Sequence, residues 1–474
     1  MPGRFWKGQS RCSICSQREA RRFEVKSPDE AAGPYFKERL TFLINRSFGY
    51  FWLGQSISTL GSQVTAFAVP LLAALTLHAT AQQMGFLRAA EFAPFLVLTL
   101  PAGVWADLGI RRFLMIFSNL IRGVLIIFVP LTVLLGLVRL EVLYVVMFAM
   151  GSFKVIFEMA YQTYIPQIVD RETLVNANSK IMMSYALGQS AGPGLAGIMV
   201  EILGAPMAVL VDSLGYFLCA GCLFRIRHRE AKISRGRQNV FHQIGEGFSY
   251  VGHEPHIRAL LCLVTLNNFF MNALMALAVL YATREVGFRP GIFGLAVSVG
   301  GLGAVIGSLS AQRLGARLGP GPFVIYACLL TALAAFCFPL VNQANIIGIL
   351  GLTMGYFALS AGGAAVTVFA WTIRQAMTPS ELLGKMNGAF RFCVTGIMPF
   401  GALFGGWLGS IIGIRQTLVV AAAGLLVSCV GASYSQLKRL KSLPKGETLG
   451  RNQRTKACLT PCEGKCDDAW AVSE

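Results

Sequence analysis

Residues 172–204 read ETLVNANSKIMMSYALGQSAGPGLAGIMVEILG, and residues 381–413 read ELLGKMNGAFRFCVTGIMPFGALFGGWLGSIIG. At an offset of 209 residues, Glu172 maps to Glu381, Leu174 to Leu383 and Asn178 to Asn387. The match runs on through Gly192 to Gly401, Gly197 to Gly406 and Gly204 to Gly413. Each copy follows a proline, Pro166 or Pro379, and leads into a glycine-rich apolar stretch. Small residues four apart let helix backbones approach one another inside a membrane. A chain that repeats this device so far along is built from two related halves.

The rest of the sequence says what the halves are made of. Of 474 residues, 54% are hydrophobic and only 14% charged, with a mean hydropathy of +0.59. Soluble domains carry about 25% charge, and a soluble fold cannot hide this much apolar surface behind so few charges. The same numbers exclude intrinsic disorder. The apolar region runs from Ser47 to Tyr434, 388 residues. A spanning helix needs about 20 residues, so this length holds twelve helices with short loops. The predicted stretches are 48–75, 82–105, 113–136, 141–163, 176–203, 205–224, 258–281, 291–312, 321–341, 345–370, 388–412 and 415–435. The expected fold is an all-α polytopic membrane protein, with twelve transmembrane helices in two pseudo-symmetric six-helix bundles.

Charge supplies the topology. If both tails are cytoplasmic, inside segments hold 32 Lys and Arg and outside loops hold four: Arg139, Arg284, Arg289 and Arg415. Positive residues stay inside. The organisation is therefore a basic cytoplasmic tail (1–46), a first bundle (47–224), a cytoplasmic linker (225–257), a second bundle (258–435) and a cytoplasmic tail (436–474). The linker opens RIRHREAKISRGR and continues FHQIGEGFSYVGHE, an amphipathic stretch suited to the membrane interface. The net charge of +18 lies in these flanking segments, so a nucleic-acid partner is not expected. Membrane lipid is.

Several chemistries are set aside. Seven of the 12 Cys lie in the apolar region and read as small hydrophobes. Cys12, Cys15, Cys458, Cys462 and Cys466 are in the tails, too loosely spaced for a zinc site. Gly188-Gln-Ser190-Ala-Gly192 matches a nucleophile elbow, but that elbow needs a strand-to-helix turn, and it falls inside a helix. No Gly-x-x-x-x-Gly-Lys-Ser/Thr loop exists to cradle a nucleotide. The N-terminus lacks the apolar core of a signal peptide. No enzymatic activity, metal or cofactor is expected.

Two motifs give the family. Gly103-Val-Trp-Ala-Asp107-Leu-Gly-Ile-Arg111-Arg112 resembles the signature loop of the major facilitator superfamily, Gly-x-x-x-Asp-Arg-x-Gly-Arg-Arg/Lys, with Leu108 and Ile110 departing from it. Gly188, Gly192, Pro193 and Gly197 resemble the antiporter motif of its drug exporters, and Gly401, Gly405, Gly409 and Gly413 form a glycine ridge in the matching helix of the second half. Two parallel-repeat halves of six helices fit the same plan. The stretches WLGQSISTLGSQVTAFAVPLL, YIPQIVDRETLVNANS and VDSLGYF resemble the branch that holds macrolide efflux proteins and enterobactin exporters. One departure is Phe148, where related drug:proton antiporters carry an Arg three residues before a Gly, here Gly151.

The resemblance implies a monomeric exporter in the cell inner membrane. It would move bulky amphipathic compounds, macrolide-like drugs first, by proton antiport. A siderophore exporter is the alternative, and a non-transporting sensor or scaffold of the same shape is another. Charges inside the spans are costly and mark function. These are Glu91, Arg122, Lys154, Glu158, Asp212 and Arg391, with Arg88 one turn from Glu91. Depth along the helices puts Glu91 and Arg122 near the midplane. The expectation is that these two pair, with Arg88 as the rival partner that would make the site purely structural, and that Lys154 pairs with Glu158 at i,i+4.

Overall fold

A computed structural model describes residues 46–107, 110–170, 173–226, 240–379 and 382–440. The expected tails, most of the basic run 227–239, Glu172 and Glu381 lie outside the described residues, as do the side chains of Gly103 and Asp107. Thirteen helical columns follow in order. They are α1 Arg46–Thr76, α2 Ala81–Asp107, α3 Arg111–Leu134, α4 Leu140–Ile168, α5 Leu174–Leu203, α6 Ala205–Arg225 and α7 Val240–His253. The second half holds α8 Pro255–Glu285, α9 Pro290–Leu318, α10 Pro320–Leu340, α11 Ile346–Met377, α12 Leu383–Ile412 and α13 Ile414–Ser433. All columns except α7 match predicted stretches. Ten are long and apolar enough to cross a membrane by length and composition, and α2 and α5 pack among them. No strand occurs among the described residues.

The helices start and stop where local chemistry dictates. Prolines open α8, α9 and α10 at Pro255, Pro290 and Pro320, positions whose missing N–H would have been unpaired anyway. The Asn345 side chain caps α11 by accepting from Gly348 N at 2.8 Å. Gly204 and Gly413 end α5 and α12 at φ of +80° and +93°, a conformation that costs other residues. Gly413 is thus a helix stop, not the fourth member of the packing ridge.

The repeat seen in the sequence is also in the backbone. A five-residue π turn ends α1 at Leu72–Thr76, and another ends α8 at Tyr281–Glu285. Their bonds correspond: Leu77 N to Leu72 O at 3.2 Å and Ala79 N to Ala73 O at 2.9 Å in the first half, Val286 N to Tyr281 O at 3.0 Å and Phe288 N to Ala282 O at 2.9 Å in the second. Each pair is 209 positions apart, the offset of the opening stretches.

The outer surface is apolar. Phe113, Ile202, Phe224, Leu309, Ile347 and Val427 are all more than 60% exposed. Contiguous exposure on this scale is untenable in water and is what lipid contact requires. The largest buried cluster runs through Leu71, Leu72, Ile126, Leu143, Leu277 and Leu425, joining both halves. The amphipathic helix α7 is held by the second half. Glu246 pairs with Lys385, Phe248 meets Phe392 edge-on at 6.3 Å, and Tyr250 donates to Met377 O at 2.7 Å. Burial and then the nearby Glu254 carboxylate push the Tyr250 hydroxyl up, which keeps its proton available for that bond.

Candidate functional site: a charged cavity between the halves

α1, α2 and α4 of the first half face α8, α9 and α11 of the second across a cavity of about 140 Å³. Its wall is mostly apolar, with Phe67, Met147, Phe293 and Tyr356 among the lining residues, and its charges come from Arg88 and Glu91 on α2. This is the composition of a ligand site, an apolar surface with few, placed polar groups. Pocket volumes for drug-sized ligands run from about 300 Å³, so a bulky occupant needs the halves to part.

The structure pairs the intramembrane charges differently from the sequence expectation. Glu91 meets Lys154, Nζ to Oε1 at 3.9 Å, and not Arg122. Lys154 also lies over the rings of Phe92 and Phe95. Arg88 donates from Nε to Asn272 Oδ1 at 3.2 Å, across the halves. Arg122 is buried, donates to Tyr216 Oη, and sits 4.0 Å from that ring's centre. Cation–π contact in so dry a place stabilises by about 2 kcal/mol. Asp212 lies beside it on α6, fully buried. Glu158 does not pair with Lys154 either; it accepts from Arg391 Nη2 at 2.5 Å, again across the halves. Both mispairings have one cause. Sequence position gives height along a helix but not the neighbour that the helix turns toward, and the true partners sit on other columns.

Contacts between the halves bracket the cavity. At the end bearing the π turns, Arg284 donates to Ala74 O at 3.0 and 2.6 Å and to Ala79 O at 2.9 Å. Glu201 accepts from Gly291 N at 3.1 Å, at the start of α9, where helix N–H groups are otherwise unpaired. At the end bearing α7, Glu158 and Arg391 close the gap, and a Cβ on Gly396 would meet Leu96 at 2.9 Å.

The glycines divide into two sets. Gly188 packs on Thr59 and Gly192 on Gln63, both within the first half. Gly401 and Gly405 pack on the backbone of Phe269 and Ala273 within the second half, and Gly409 meets Leu277 and Ala81. Gly197, by contrast, faces Gly294 across the halves, as Gly406 faces Gly85. Pro193 bends α5 beside this contact, its carbonyl directed at Gly294. In the signature loop, Arg111 is fully buried. Arg112 donates to Leu223 O at 2.9 Å and Phe224 O at 2.7 Å, bonding carbonyls of the last turn of α6, where backbone partners run short. Gly85, Asn272 and Tyr216 were not singled out by the sequence, and Arg284 was read only as a basic residue of an outside loop. Gly85 was reachable, because adding the repeat offset to it gives Gly294.

Residues 38–455 match the family described as transmembrane secretion effector. The chain is 26% identical over 396 residues to the multidrug efflux pump Tap of Mycolicibacterium fortuitum, covering 81% of this chain and 93% of that one. It is 24% identical over 400 residues to the enterobactin exporter EntS of Salmonella typhimurium, covering 82% and 94%. The fold resembles that of the nucleoside transporter NupG, with a TM-score of 0.65 at 10% identity over 81% of this chain and 98% of that one. The chain belongs to the transmembrane secretion effector family of the major facilitator superfamily, and it is a multi-pass membrane protein.

Proposed function

We propose that this transmembrane secretion effector exports bulky amphipathic compounds, macrolide-like drugs first, by proton antiport. It would work as a monomer in the cell inner membrane, with both termini and the α7 linker in the cytoplasm. The observation that carries the reading is the cavity between the halves, with Glu91 on its wall and cross-half contacts at both ends. Rocking of one half on the other about the glycine contacts would open the ends in turn.

Glu91 is the group on which substrate and proton would meet. Its side chain is 19% exposed and its ion pair with Lys154 is loose at 3.9 Å. A substrate cation and a proton each neutralise the same carboxylate, so each disfavours the other. That mutual exclusion at one site is the thermodynamic content of antiport. Lys154 takes the partner role expected of Arg122. Glu158 and Arg391 suit a different task. They sit on opposite halves, so the pair forms when the α7 end closes and breaks when it opens.

The relatives named as an efflux pump and a siderophore exporter support export over uptake, and the second keeps a siderophore in view. A drug-susceptibility panel in an efflux-deficient host tests the reading. Resistance to macrolides conferred by the wild type and lost in Glu91→Gln supports it. A panel with no protected compound overturns it.

A further inference from the structure

The first half contains a polar cluster that the cavity does not use. Asp212 on α6 is fully buried. The groups facing it are Thr65 from α1, Arg122 from α3, Tyr216 from its own helix and, more remotely, Lys154 from α4. Gly61 of α1 packs directly on it, since a Cβ there would stand 2.7 Å from Oδ1. The Thr65 and Tyr216 hydroxyls come within hydrogen-bonding reach of the carboxylate, neither in a well-formed bond, and among the described residues no ion pair neutralises Asp212. Arg122 spends its bond on Tyr216.

The second half of the molecule shows whether six-helix bundles of this kind need a polar core. Adding 209 to Ser62, Thr65, Asp212 and Tyr216 gives Met271, Leu274, Ala421 and Leu425 in the second half, and Arg122 becomes Thr331. Leu274, Ala421 and Leu425 are buried hydrophobic core there. Thr331 merely returns its hydroxyl to Ala327 O of its own helix. The same packing is thus achieved without charge. A carboxyl buried without a well-formed bond or a neutralising ion pair is among the most expensive groups a bilayer protein can hold, and here the fold does not require it.

The cluster is also connected to the cavity. Tyr216 Oη lies 2.9 Å from Ser62 Oγ. Ser62 is half-buried, one helical turn from Ala66, which is exposed on the cavity wall. We propose that Asp212 is a proton-binding site of this protein, filled from cavity water through the Ser62 and Tyr216 hydroxyls. The step balances. Each hydroxyl accepts one proton and passes on its own, the proton ends on a carboxylate oxygen, and Arg122 remains charged throughout. The role of this proton in transport rests on the antiport reading above, but its presence does not.

The test is therefore independent of transport. Infrared spectra of the full-length protein in lipid nanodiscs at neutral pH are expected to show the C=O stretch of a protonated carboxyl. Asp212→Asn removes that band, Asp212→Glu moves it, and Glu91→Gln leaves it in place. Tyr216→Phe keeps the band but slows its shift on transfer to deuterium oxide, which a packing role alone would not do. A wild-type spectrum without the band, or a band unchanged in both Asp212 variants, overturns the assignment. A band that behaves as expected in a protein that moves no substrate would overturn the export reading and leave this site standing.

Discussion

A Cβ added to Gly406 would stand 2.8 Å from the Cα of Gly85, closer than real Cβ atoms come. The two glycines lie on α12 and α2, and so on opposite halves. The related contact pairs Gly197 with Gly294, where an added Cβ would stand 3.1 Å from the facing Cα. The two contacts exchange under the 209-residue offset. The halves therefore touch backbone to backbone along two matched seams, where close approach and sliding both require the absence of side chains.

Gly85→Val and Gly406→Val are expected to abolish transport while the protein still inserts and folds, because the halves are wedged apart at a seam. Gly192→Leu and Gly405→Leu face partners within their own halves, so they should act through stability. Overpacking of this kind costs roughly 1–3 kcal/mol, read as a lowered melting temperature in detergent. Gly388→Ala, with open space around it, serves as the silent control. Efflux assays with parallel expression and thermal-shift measurements separate the outcomes.

The latches at the two ends should move the conformational balance in opposite directions. Glu158→Ala removes the Arg391 bond and should favour opening at the α7 end. Arg284→Ala removes three bonds to Ala74 and Ala79 and should favour opening at the other. Half-exposed pairs such as Glu158–Arg391, with side chains 30% and 32% exposed, contribute about 1 kcal/mol or less. That is still a several-fold population change. Distances between spin labels placed on the two halves would report it. The charge-swapped pair, Glu158→Arg with Arg391→Glu, should restore the wild-type distribution.

These relationships show where sequence reasoning carried and where it stopped. The spans were legible because apolar length is one-dimensional, and the halves because Gly192, Gly197 and Gly204 recur at Gly401, Gly406 and Gly413. The glycine function was legible only in part. Gly197 and Gly192 look alike in sequence, yet one face of α5 meets the other half and the next face meets α1. The charge pairs were not legible. Glu158 and Arg391 are 233 positions apart, and nothing local distinguishes Arg391 from Lys154 as a partner. Asp212 was visible as a charge in a span, but its neighbours Thr65, Arg122 and Tyr216 follow from which way α1, α3 and α6 turn.

Topology is open to a direct check. The 32-to-4 distribution of basic residues predicts that Cys12 and Cys458 are inside the cell. In variants retaining only one of these cysteines, a membrane-impermeant maleimide should label neither in intact cells and both after permeabilisation. Labelling of either in intact cells contradicts the orientation.

The central claim is that a proton gradient drives substrate through the cavity, with Glu91 as the group where the two are exchanged. Purified protein in liposomes, given an imposed pH gradient and a labelled macrolide, measures it. The account predicts that wild-type protein accumulates the compound against its gradient, with proton movement in the opposite direction. Glu91→Gln should retain downhill exchange and lose accumulation. Accumulation by Glu91→Gln equal to that of the wild type would contradict the account, as would a wild-type flux indifferent to the pH gradient.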